Sequence, residues 1–480
     1  MNKVPEFFGA FFLKVKFVFI TYLLLVLSIS VPWLLKTFPL ADAETVVFTL
    51  STPIDGFVSF FVEMALIDVF LPSVVILVVL YGVFRITPKK MFLKKLILSV
   101  LSFVLIGNGI YLVVEIPIKD YIGVLKRNSV KPFHSVFMRN YFYPLDIDSV
   151  EFDEKNKHNL IFIIAESMEN GFGEEIPELL NLSKKNISFQ PYDYIGGGWD
   201  AVGSKSTMSS TVSKITGFPL LTYNYSALFP KIHSIYDVLH HYGYENIFIQ
   251  GTSGSFGFGG EFLESHGIDL FFDDKKIEKK GIAKYNNRIT DKKLFDYAKS
   301  LLKEKQRRPF SLTIATIESH FPYGFYDESC IEKPVDNSDE AIFKATLNCS
   351  SRQINEFVEF VKKQPFFEKT EIVIVGDHLF KGNLIVNKFV GQRNWLSIFI
   401  NPAIKTDLDT NRFFTSIDIA PTILESLGMK LPKHKMAFGT SLWSSERTLL
   451  ETIGIDSLNH SFETILNSFE YNELIVKKLD

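Results

Sequence analysis

The chain of 480 residues contains very few cysteines and no marked excess of either charge. Cys330 and Cys349 are its only two cysteines, which excludes a four-cysteine zinc site and a disulfide-dense scaffold but allows one bridge. The 51 basic and 54 acidic residues give a net charge of -3. Proteins that bind nucleic acid are usually far more basic, so no nucleic-acid partner is expected. The length allows about two to four domains.

Two common motifs of phosphate binding and hydrolysis are also missing. The segment 196–211 is rich in glycine and hydroxyl side chains, and its backbone can approach a phosphate closely. It lacks the G-x-x-x-x-G-K-[ST] pattern of a Walker loop and the G-x-S-x-G turn of the α/β-hydrolases. Six hydroxyl groups compete as the nucleophile in this segment, and their spacing alone does not choose between them. A plain flexible loop is the alternative interpretation.

What the chain has in excess is apolar residues, which are concentrated in its first 116 positions. Three stretches, at about 17–35, 66–84 and 96–115, are long and apolar enough to cross a bilayer. Basic residues precede the first stretch and fill the loop between the second and third, whereas the loop after the first is acidic. Because basic segments stay in the cytoplasm, three crossings place the rest of the chain outside. We therefore predict a three-helix transmembrane region over residues 1–116.

Two features near this region leave alternatives open. Ala41-Asp42-Ala43 has the form of a signal-peptidase site, although the preceding apolar run is long for a cleaved signal peptide. Residues 117–157, predicted to be a juxtamembrane linker, mix basic and aromatic side chains without clear periodicity. They suit either a segment that lies on the membrane surface or an ordinary linker.

After residue 158 the pattern changes to short apolar runs separated by amphipathic helices. The length and β-branched content of these runs are typical of buried strands. They lie at 160–165, 247–249, 312–317, 372–375 and 396–400. Strands that alternate with helices predict an α/β domain, with a largely parallel sheet covered by helices on both faces. We expect this domain to span 158–445 and a C-terminal extension to follow at 446–480.

Acidic and histidine side chains follow three of the predicted strands. Glu166 ends the first, His320 follows the third, and Asp377 with His378 ends the fourth. Because open α/β sheets place ligands at the carboxyl ends of their strands, these side chains are expected at one edge. Two carboxylates and an imidazole are good ligands for a divalent metal ion. Taken singly, each would more often be a helix cap or a hydrogen-bonded pair.

The order and spacing of several segments match a known family. Thr207 lies ten residues before Gly217-Phe218-Pro219-Leu220. The other matching segments are 159–167 with Glu166, 262–269 with His266, 316–322 with His320, 376–378 and 416–424. Together they resemble the alkaline phosphatase/sulfatase superfamily, over about residues 158–442. More narrowly, they are similar to its membrane-anchored phosphoglycerol transferases, the lipoteichoic acid synthases and above all the branch that modifies periplasmic glucans.

The resemblance implies a fold, a cofactor and a set of site residues. It implies a sulfatase-like α/β domain with one divalent metal ion, Mn2+ or Zn2+. The residues that match the metal-binding positions are Glu166, Thr207, Asp377 and His378, and Thr207 also matches the nucleophile. His320 and His266 match positions near the substrate, with a purely structural role as the alternative for each.

The resemblance also implies a reaction. A phosphoglycerol group would pass from phosphatidylglycerol to an extracytoplasmic glycan through a phosphothreonine intermediate. The protein would be a multi-pass enzyme of the bacterial inner membrane whose catalytic domain faces the periplasm. The alternatives are a phosphoethanolamine transferase, a metal-dependent phosphodiesterase or phosphatase of the same superfamily, and a non-catalytic membrane protein.

The sequence departs from the family pattern in three places. Lipoteichoic acid synthases typically have five spans, whereas three are predicted here. They also hold glycerol phosphate with a Trp and an Arg, and the comparable segment 250–258 has neither, so no substrate contact is carried over there. The Cys-x-Pro-x-Arg motif of true sulfatases is absent from the sequence, which argues against cleavage of sulfate esters.

The two cysteines are 19 positions apart and lie outside the reducing cytoplasm in the predicted topology. We therefore expect a Cys330–Cys349 disulfide, with an entropic contribution of roughly 3 kcal/mol to stability. Two free buried thiols are the alternative.

Overall fold

The computed structural model describes residues 58–86 and 132–475, together with a few residues between 19 and 37. Gaps in the second range lie at 190–196, 222–228, 257–258, 305–308, 328, 383, 386–392 and 405–408. The chain divides into two compact units, residues 1–39 with 57–123 and residues 40–56 with 124–480.

In the described part of the first unit, one helical stretch, Val62–Leu80, is long and apolar enough to cross a membrane. It runs through helix α1 (Val58–Ala65), a π-helical turn (Leu66–Phe70) and helix α2 (Leu71–Ile86). This stretch overlaps the second predicted span. The third predicted span and part of the first lie outside the described residues, so the three-helix region stays a prediction.

The second unit is built on a six-stranded sheet with the strand order β3-β2-β4-β1-β5-β6. The strands are β1 (Asn159–Ala165), β2 (Glu245–Gln250), β3 (Leu270–Phe272), β4 (Phe310–Ala315), β5 (Thr370–Gly376) and β6 (Ser397–Ile400). All neighbouring strands pair in parallel except β6, which is antiparallel to β5. The mostly parallel sheet confirms the predicted α/β fold, and the last predicted strand is its antiparallel edge. A hairpin of two short strands, β7 (Lys435–Met436) and β8 (Gly439–Thr440), lies apart from the sheet.

Helices cover both faces of this sheet. They are α3 (Val136–Tyr141), α4 (Pro177–Lys185), α5 (Thr207–Thr216), α6 (Ile235–His241), α7 (Gly259–Ser265), α8 (Asp274–Glu278), α9 (Asp291–Glu304), α10 (Asp339–Lys362), α11 (Ile419–Ser426), α12 (Leu449–Ile453), α13 (Ile455–Ile465) and α14 (Phe469–Asn472). In the central strand, Phe162 and Ile164 join the main hydrophobic core, which also contains residues of α5, α6 and α11. Ile161 and Ile163 point to the opposite face and are equally buried. A central strand that is buried on both sides explains the uninterrupted apolar run in the sequence.

The packed unit extends beyond both predicted boundaries of the domain. In the predicted linker, Phe137 of α3 stacks on Phe438 at 5.5 Å and meets the edge of Phe462 in α13 at 6.1 Å. Phe142 contacts Phe218 in the same core. The structure therefore places the described part of the predicted linker, and most of the predicted C-terminal extension, within the packed unit.

The two cysteines form a disulfide in the structure. Cys330 lies in the loop that follows His320, and Cys349 lies within α10. The bridge ties that loop to a helix on the face of the sheet.

A buried glutamate in β5 makes stability depend on pH. Burial raises the pKa of Glu371 to about 8, while the hydrogen bond from the Ser426 hydroxyl to its carboxylate (2.8 Å) opposes the rise. Since the unfolded chain releases this proton near its ordinary value of 4.5, the folded state holds it over the pH range between the two values. Stability is therefore lost as pH rises through this window, by about 1.4 kcal/mol per unit of pKa difference.

We expect Glu371→Gln to remove this loss. Its melting temperature should exceed that of the parent chain by a margin that grows from pH 5 to pH 8, at roughly 2–4 °C per kcal/mol. Thermal unfolding of the detergent-solubilised full chain measures the margin. The matched control is Glu368→Gln, at an exposed position three residues earlier. A margin that does not change with pH contradicts the assignment.

Candidate active site

The carboxyl ends of two adjacent parallel strands bring three of the predicted ligands together. Ala165 at the end of β1 pairs with Gly376 at the end of β5, so the next residues, Glu166 and Asp377, come side by side. With His378 they form a buried group, the acidic cluster, whose ligating atoms all lie within 4.8 Å of one another. The register of the sheet therefore fixes their spacing.

Thr207 joins this group from the first residue of α5. Its Oγ1 lies 3.3 Å from His378 Nε2 and 3.4 Å from Glu166 Oε2. The helix begins there because Ser206 adopts an extended backbone and forms a capping box with Ser209. In this box the Ser206 N–H donates to the Ser209 hydroxyl at 3.0 Å, so a backbone donor at the start of the helix has a partner. Of the six candidate hydroxyls, Thr207 is thus the one in contact with the acidic cluster through both Glu166 and His378.

A strained turn after β1 holds the two carboxylates. Ser167 has a positive φ of 50°, which is unfavourable for a residue other than glycine, and it is fully buried. Its N–H donates to Asp377 Oδ1 at 2.6 Å, and its hydroxyl donates to Glu166 Oε1 at 2.7 Å. Gly376 is needed beside this turn because a Cβ there would lie 2.2 Å from the Met168 carbonyl oxygen.

The charges and donors of this cluster fit a divalent metal ion. Burial raises the pKa of Glu166 well above its ordinary value, and the nearby charge of Asp377 raises it further. Asp377 Oδ2 is buried and has no hydrogen-bond partner in the described part of the chain. Two buried carboxylates this close together are unfavourable unless a cation compensates them. Two carboxylates, an imidazole and a hydroxyl form a donor set that such an ion accepts.

Lys214 lies beneath the cluster, two turns after Thr207 on α5. It is fully buried, and its Nζ donates to the Asp377 carbonyl oxygen at 2.6 Å and to the Ser210 and Ser416 hydroxyls. The ammonium group also lies 4.1 Å from the centre of the Trp395 ring. Burial lowers the pKa of Lys214 to about 7, against the opposing negative charge of Asp377. Lys214 thus connects the threonine helix to the backbone of a predicted ligand.

A salt bridge holds the segment after His378. Arg393 Nε donates to Glu169 Oε2 at 2.9 Å, and Phe380 N donates to Glu169 Oε1 at 2.8 Å. Arg393 also donates to the Phe380 carbonyl oxygen at 2.7 Å. Burial raises the pKa of Glu169, and the hydrogen bonds and charge of Arg393 oppose that rise.

His320 lies in a loop that is tied to Glu166. The hydroxyl of Ser319 donates to the Glu166 carbonyl oxygen, and the Thr316 hydroxyl accepts from Glu166 N at 3.0 Å. Asp291 fixes the start of the loop by accepting from the N–H groups of residues 317 and 318. Burial lowers the pKa of His320 to about 4, and the charge of His378 acts in the same direction. The ring is therefore neutral at pH 7.

His266 occupies a different environment. It is 2% exposed, and its ring stacks on Phe262 at 4.0 Å. Its Nδ1 lies 2.8 Å from the Phe262 carbonyl oxygen and its Nε2 lies 3.3 Å from that of Phe229. Among the described residues, these contacts join His266 to the backbone and not to the cluster. A substrate contact for His266 stays a prediction without support from these contacts.

Sequence reasoning missed several residues that shape the site: Ser167, Glu169, Lys214, Asp291 and Arg393. They touch the predicted ligands, or the segments that carry them, from distant parts of the chain. Of these residues, Lys214 alone could have been found from local sequence. It lies two turns after Thr207 on the same helix, at a position that is buried with its neighbours.

Comparison with known proteins identifies related sequences and folds. The sulfatase family model matches residues 158–429, more than half of the chain. A phosphoglycerol transferase I from Escherichia coli (strain SMS-3-5 / SECEC) is 29% identical over 297 residues, which cover 57% of this chain and 38% of that protein. The chain thus spans about two fifths of the length of this curated relative.

Two solved structures share the fold. The lipoteichoic acid synthase LtaP from Listeria monocytogenes gives a TM-score of 0.50 at 18% identity and covers 62% of this chain and 80% of its own. The integral membrane protein lipooligosaccharide phosphoethanolamine transferase A (EptA) from Neisseria meningitidis gives 0.52 at 15% identity, covering 85% and 83%. At these identities the likeness concerns the fold alone.

The cluster predicts a specific loss of metal affinity. Glu166→Gln removes a ligand charge and His378→Ala removes a donor atom, and each should weaken Mn2+ or Zn2+ binding by more than the roughly 10–100-fold that loss of an outer hydrogen-bond partner costs. Calorimetric titration of the chelator-treated full chain measures the affinity directly. His240→Ala, at an exposed histidine paired with Asp269, is the control and should bind like the parent. Parent-like affinity in His378→Ala rules this site out.

Proposed function

The chain belongs to the sulfatase family, and from that membership and the geometry of the site we propose that it is a membrane-anchored phosphoglycerol transferase. It transfers a phosphoglycerol group from phosphatidylglycerol to an extracytoplasmic glycan through a covalent intermediate on Thr207. The name of the E. coli relative supports the transferred group, although the match covers only part of that protein.

The observation that carries this proposal is the position of the Thr207 hydroxyl. It lies within 3.4 Å of both Glu166 and His378, at the first residue of a ten-residue helix. A threonine hydroxyl is a weak nucleophile until a base or a metal ion activates it. The N–H groups at the start of a helix favour an anion, which suits the phosphate of a lipid donor.

We assign one divalent metal ion to Glu166, Thr207, Asp377 and His378. Metal dependence is a property of the alkaline phosphatase/sulfatase superfamily, and three oxygen donors with one imidazole accept either Mn2+ or Zn2+. When bound, the ion supplies Lewis acidity, which neutralises phosphate charge and favours the deprotonated threonine.

The chain's own residues carry the two half-reactions. In the first, a bond forms between Thr207 Oγ1 and phosphorus while the bond from phosphorus to the diacylglycerol oxygen breaks, and that oxygen gains a proton as the threonine loses one. In the second, an acceptor hydroxyl forms the new bond to phosphorus while the bond from phosphorus to Thr207 Oγ1 breaks, and that oxygen gains a proton as the acceptor hydroxyl loses one. We place His320 beside the phosphate as a substrate-binding residue.

A lipid donor is consistent with an anchored enzyme. The helical stretch Val62–Leu80 is one candidate membrane span, and we retain three spans in the proposed topology. The catalytic unit then faces the periplasm of a bacterial inner membrane, where the donor headgroup and a glycan acceptor can both reach Thr207.

Removal of the nucleophile tests the mechanism. Thr207→Ala should reduce transfer by on the order of 1,000-fold or more, because the covalent intermediate cannot form. Membranes supplied with labelled phosphatidylglycerol report the transfer, and mass spectrometry of the parent chain identifies the adduct. A glycerophosphoryl group on Thr207 supports the proposal.

Other adducts or products separate the alternatives. A phosphoethanolamine adduct on Thr207 indicates the other donor headgroup. Free glycerol phosphate formed in the presence of acceptor indicates hydrolysis. Undiminished activity in Thr207→Ala overturns the covalent mechanism. Lys363→Met is the control and should transfer like the parent, since this exposed lysine directly follows α10, before the strand whose far end carries Asp377.

A further inference from the structure

Lys381 is a nearly buried lysine whose ammonium group is incompletely paired. The residue is 6% exposed, and the one ion pair of its Nζ within the described part of the chain is with Asp200 Oδ2, at 4.0 Å. That distance is too long for a hydrogen bond. Because a buried ammonium group is unfavourable unless it is paired and hydrogen-bonded, Lys381 is expected to have a further anionic partner.

The backbone around Lys381 places it next to the cluster. Lys381 follows His378 by only three residues, and His378 Nε2 is in contact with Thr207. Between them, Leu379 N donates to Asp200 Oδ2 at 3.3 Å, so the carboxylate that faces Lys381 also holds the backbone beside the ligand pair.

The same segment runs beside the loop that carries His320. A Cβ built on Gly382 would lie 3.1 Å from the carbonyl oxygen of Pro322, two residues after His320. Lys381 therefore lies between the end of β5 and the loop after β4, on the edge of the sheet where α/β proteins bind ligands.

Neighbouring basic side chains are already engaged by the protein. Lys214 donates to three acceptors, and Arg393 binds both carboxylate oxygens of Glu169. The two carboxylates of the cluster balance the charge of one divalent ion, so the charge of a phosphate requires another cation. Lys381 meets that need without giving up a hydrogen bond to another described residue.

A further polar atom beside Lys381 is buried and lacks a partner among the described residues. The Asp200 side chain is 8% exposed, and its Oδ1 has no hydrogen-bond partner in the described part of the chain. An acceptor left unsatisfied next to a cation indicates a site for a polar ligand.

We infer that Lys381 binds the anionic phosphate of the substrate and that Asp200 is its positioning residue. The inference rests on the proposed phosphoglycerol transfer and adds a phosphate-binding group outside the metal ligands. The same chemistry serves the diester of a lipid headgroup and the monoester of free glycerol phosphate.

Ligand binding by the metal-loaded full chain tests the inference. Lys381→Met should weaken glycerol phosphate and inorganic phosphate binding by at least about tenfold, since a charge-assisted hydrogen bond is lost. Lys381→Arg keeps the charge and should recover most of the affinity, and the affinity for Mn2+ should not change in either variant. The second arm of the experiment measures binding to mixed micelles of phosphatidylglycerol in detergent. If Lys381→Met also binds these micelles more weakly, Lys381 recognises the lipid diester. If only glycerol phosphate binding is weakened, Lys381 recognises the monoester.

A double-mutant cycle tests Asp200. If Asp200 acts through Lys381, Asp200→Asn combined with Lys381→Met should bind glycerol phosphate no more weakly than Lys381→Met alone. Lys363→Met is the matched control and should bind both phosphates like the parent.

Two results overturn the inference: parent-like phosphate affinity in Lys381→Met, or loss of Mn2+ affinity in parallel with phosphate affinity. A parent chain that binds neither phosphate nor glycerol phosphate contradicts the proposed function itself, so the two failures are distinguishable.

Discussion

Two buried carboxylates within 4.8 Å of one another impose the main electrostatic constraint on this protein. Glu166 and Asp377 follow the ends of adjacent parallel strands, so the register of the sheet keeps their backbones side by side. Their mutual repulsion is opposed locally by N–H groups of Ser167 and His378, which both donate to Asp377 Oδ1. These contacts orient the carboxylates but do not cancel their charge, which supports the proposed binding of a cation there.

Helix α5 carries the proposed nucleophile, Thr207, and contacts the acidic cluster near both of its ends. Thr207 meets the cluster at the start of the helix, and Lys214 reaches the Asp377 carbonyl oxygen two turns later. A buried lysine is a costly way to join two elements, since an apolar side chain would pack there without desolvating a charge. Its presence shows that the relation between the threonine helix and the end of β5 is set by polar contacts as well as by packing.

Much of the fold and part of the site were accessible from the sequence because they depend on local patterns. Short β-branched runs between amphipathic helices predicted the mostly parallel sheet, and residues at the ends of those runs predicted Glu166, Asp377 and His378 as neighbours. The packing of Phe137 and Phe142 into the core was not accessible from the sequence, because these residues have no period that separates a docked segment from a linker. The environment of His266 was also not accessible from the sequence, which does not show that its ring nitrogens lie beside backbone carbonyl groups.

The sequence by itself determined which residues end the strands, since that depends on the order of side chains along the chain. Only the tertiary structure decided which of six hydroxyls meets the acidic cluster, because the distance from Thr207 to Glu166 depends on how α5 packs against the sheet. It also decided that Lys214 is fully paired, whereas Lys381 has a single distant ion pair among the described residues. Hydrogen-bond partners of buried cations come from segments far apart in sequence, and no periodicity records them.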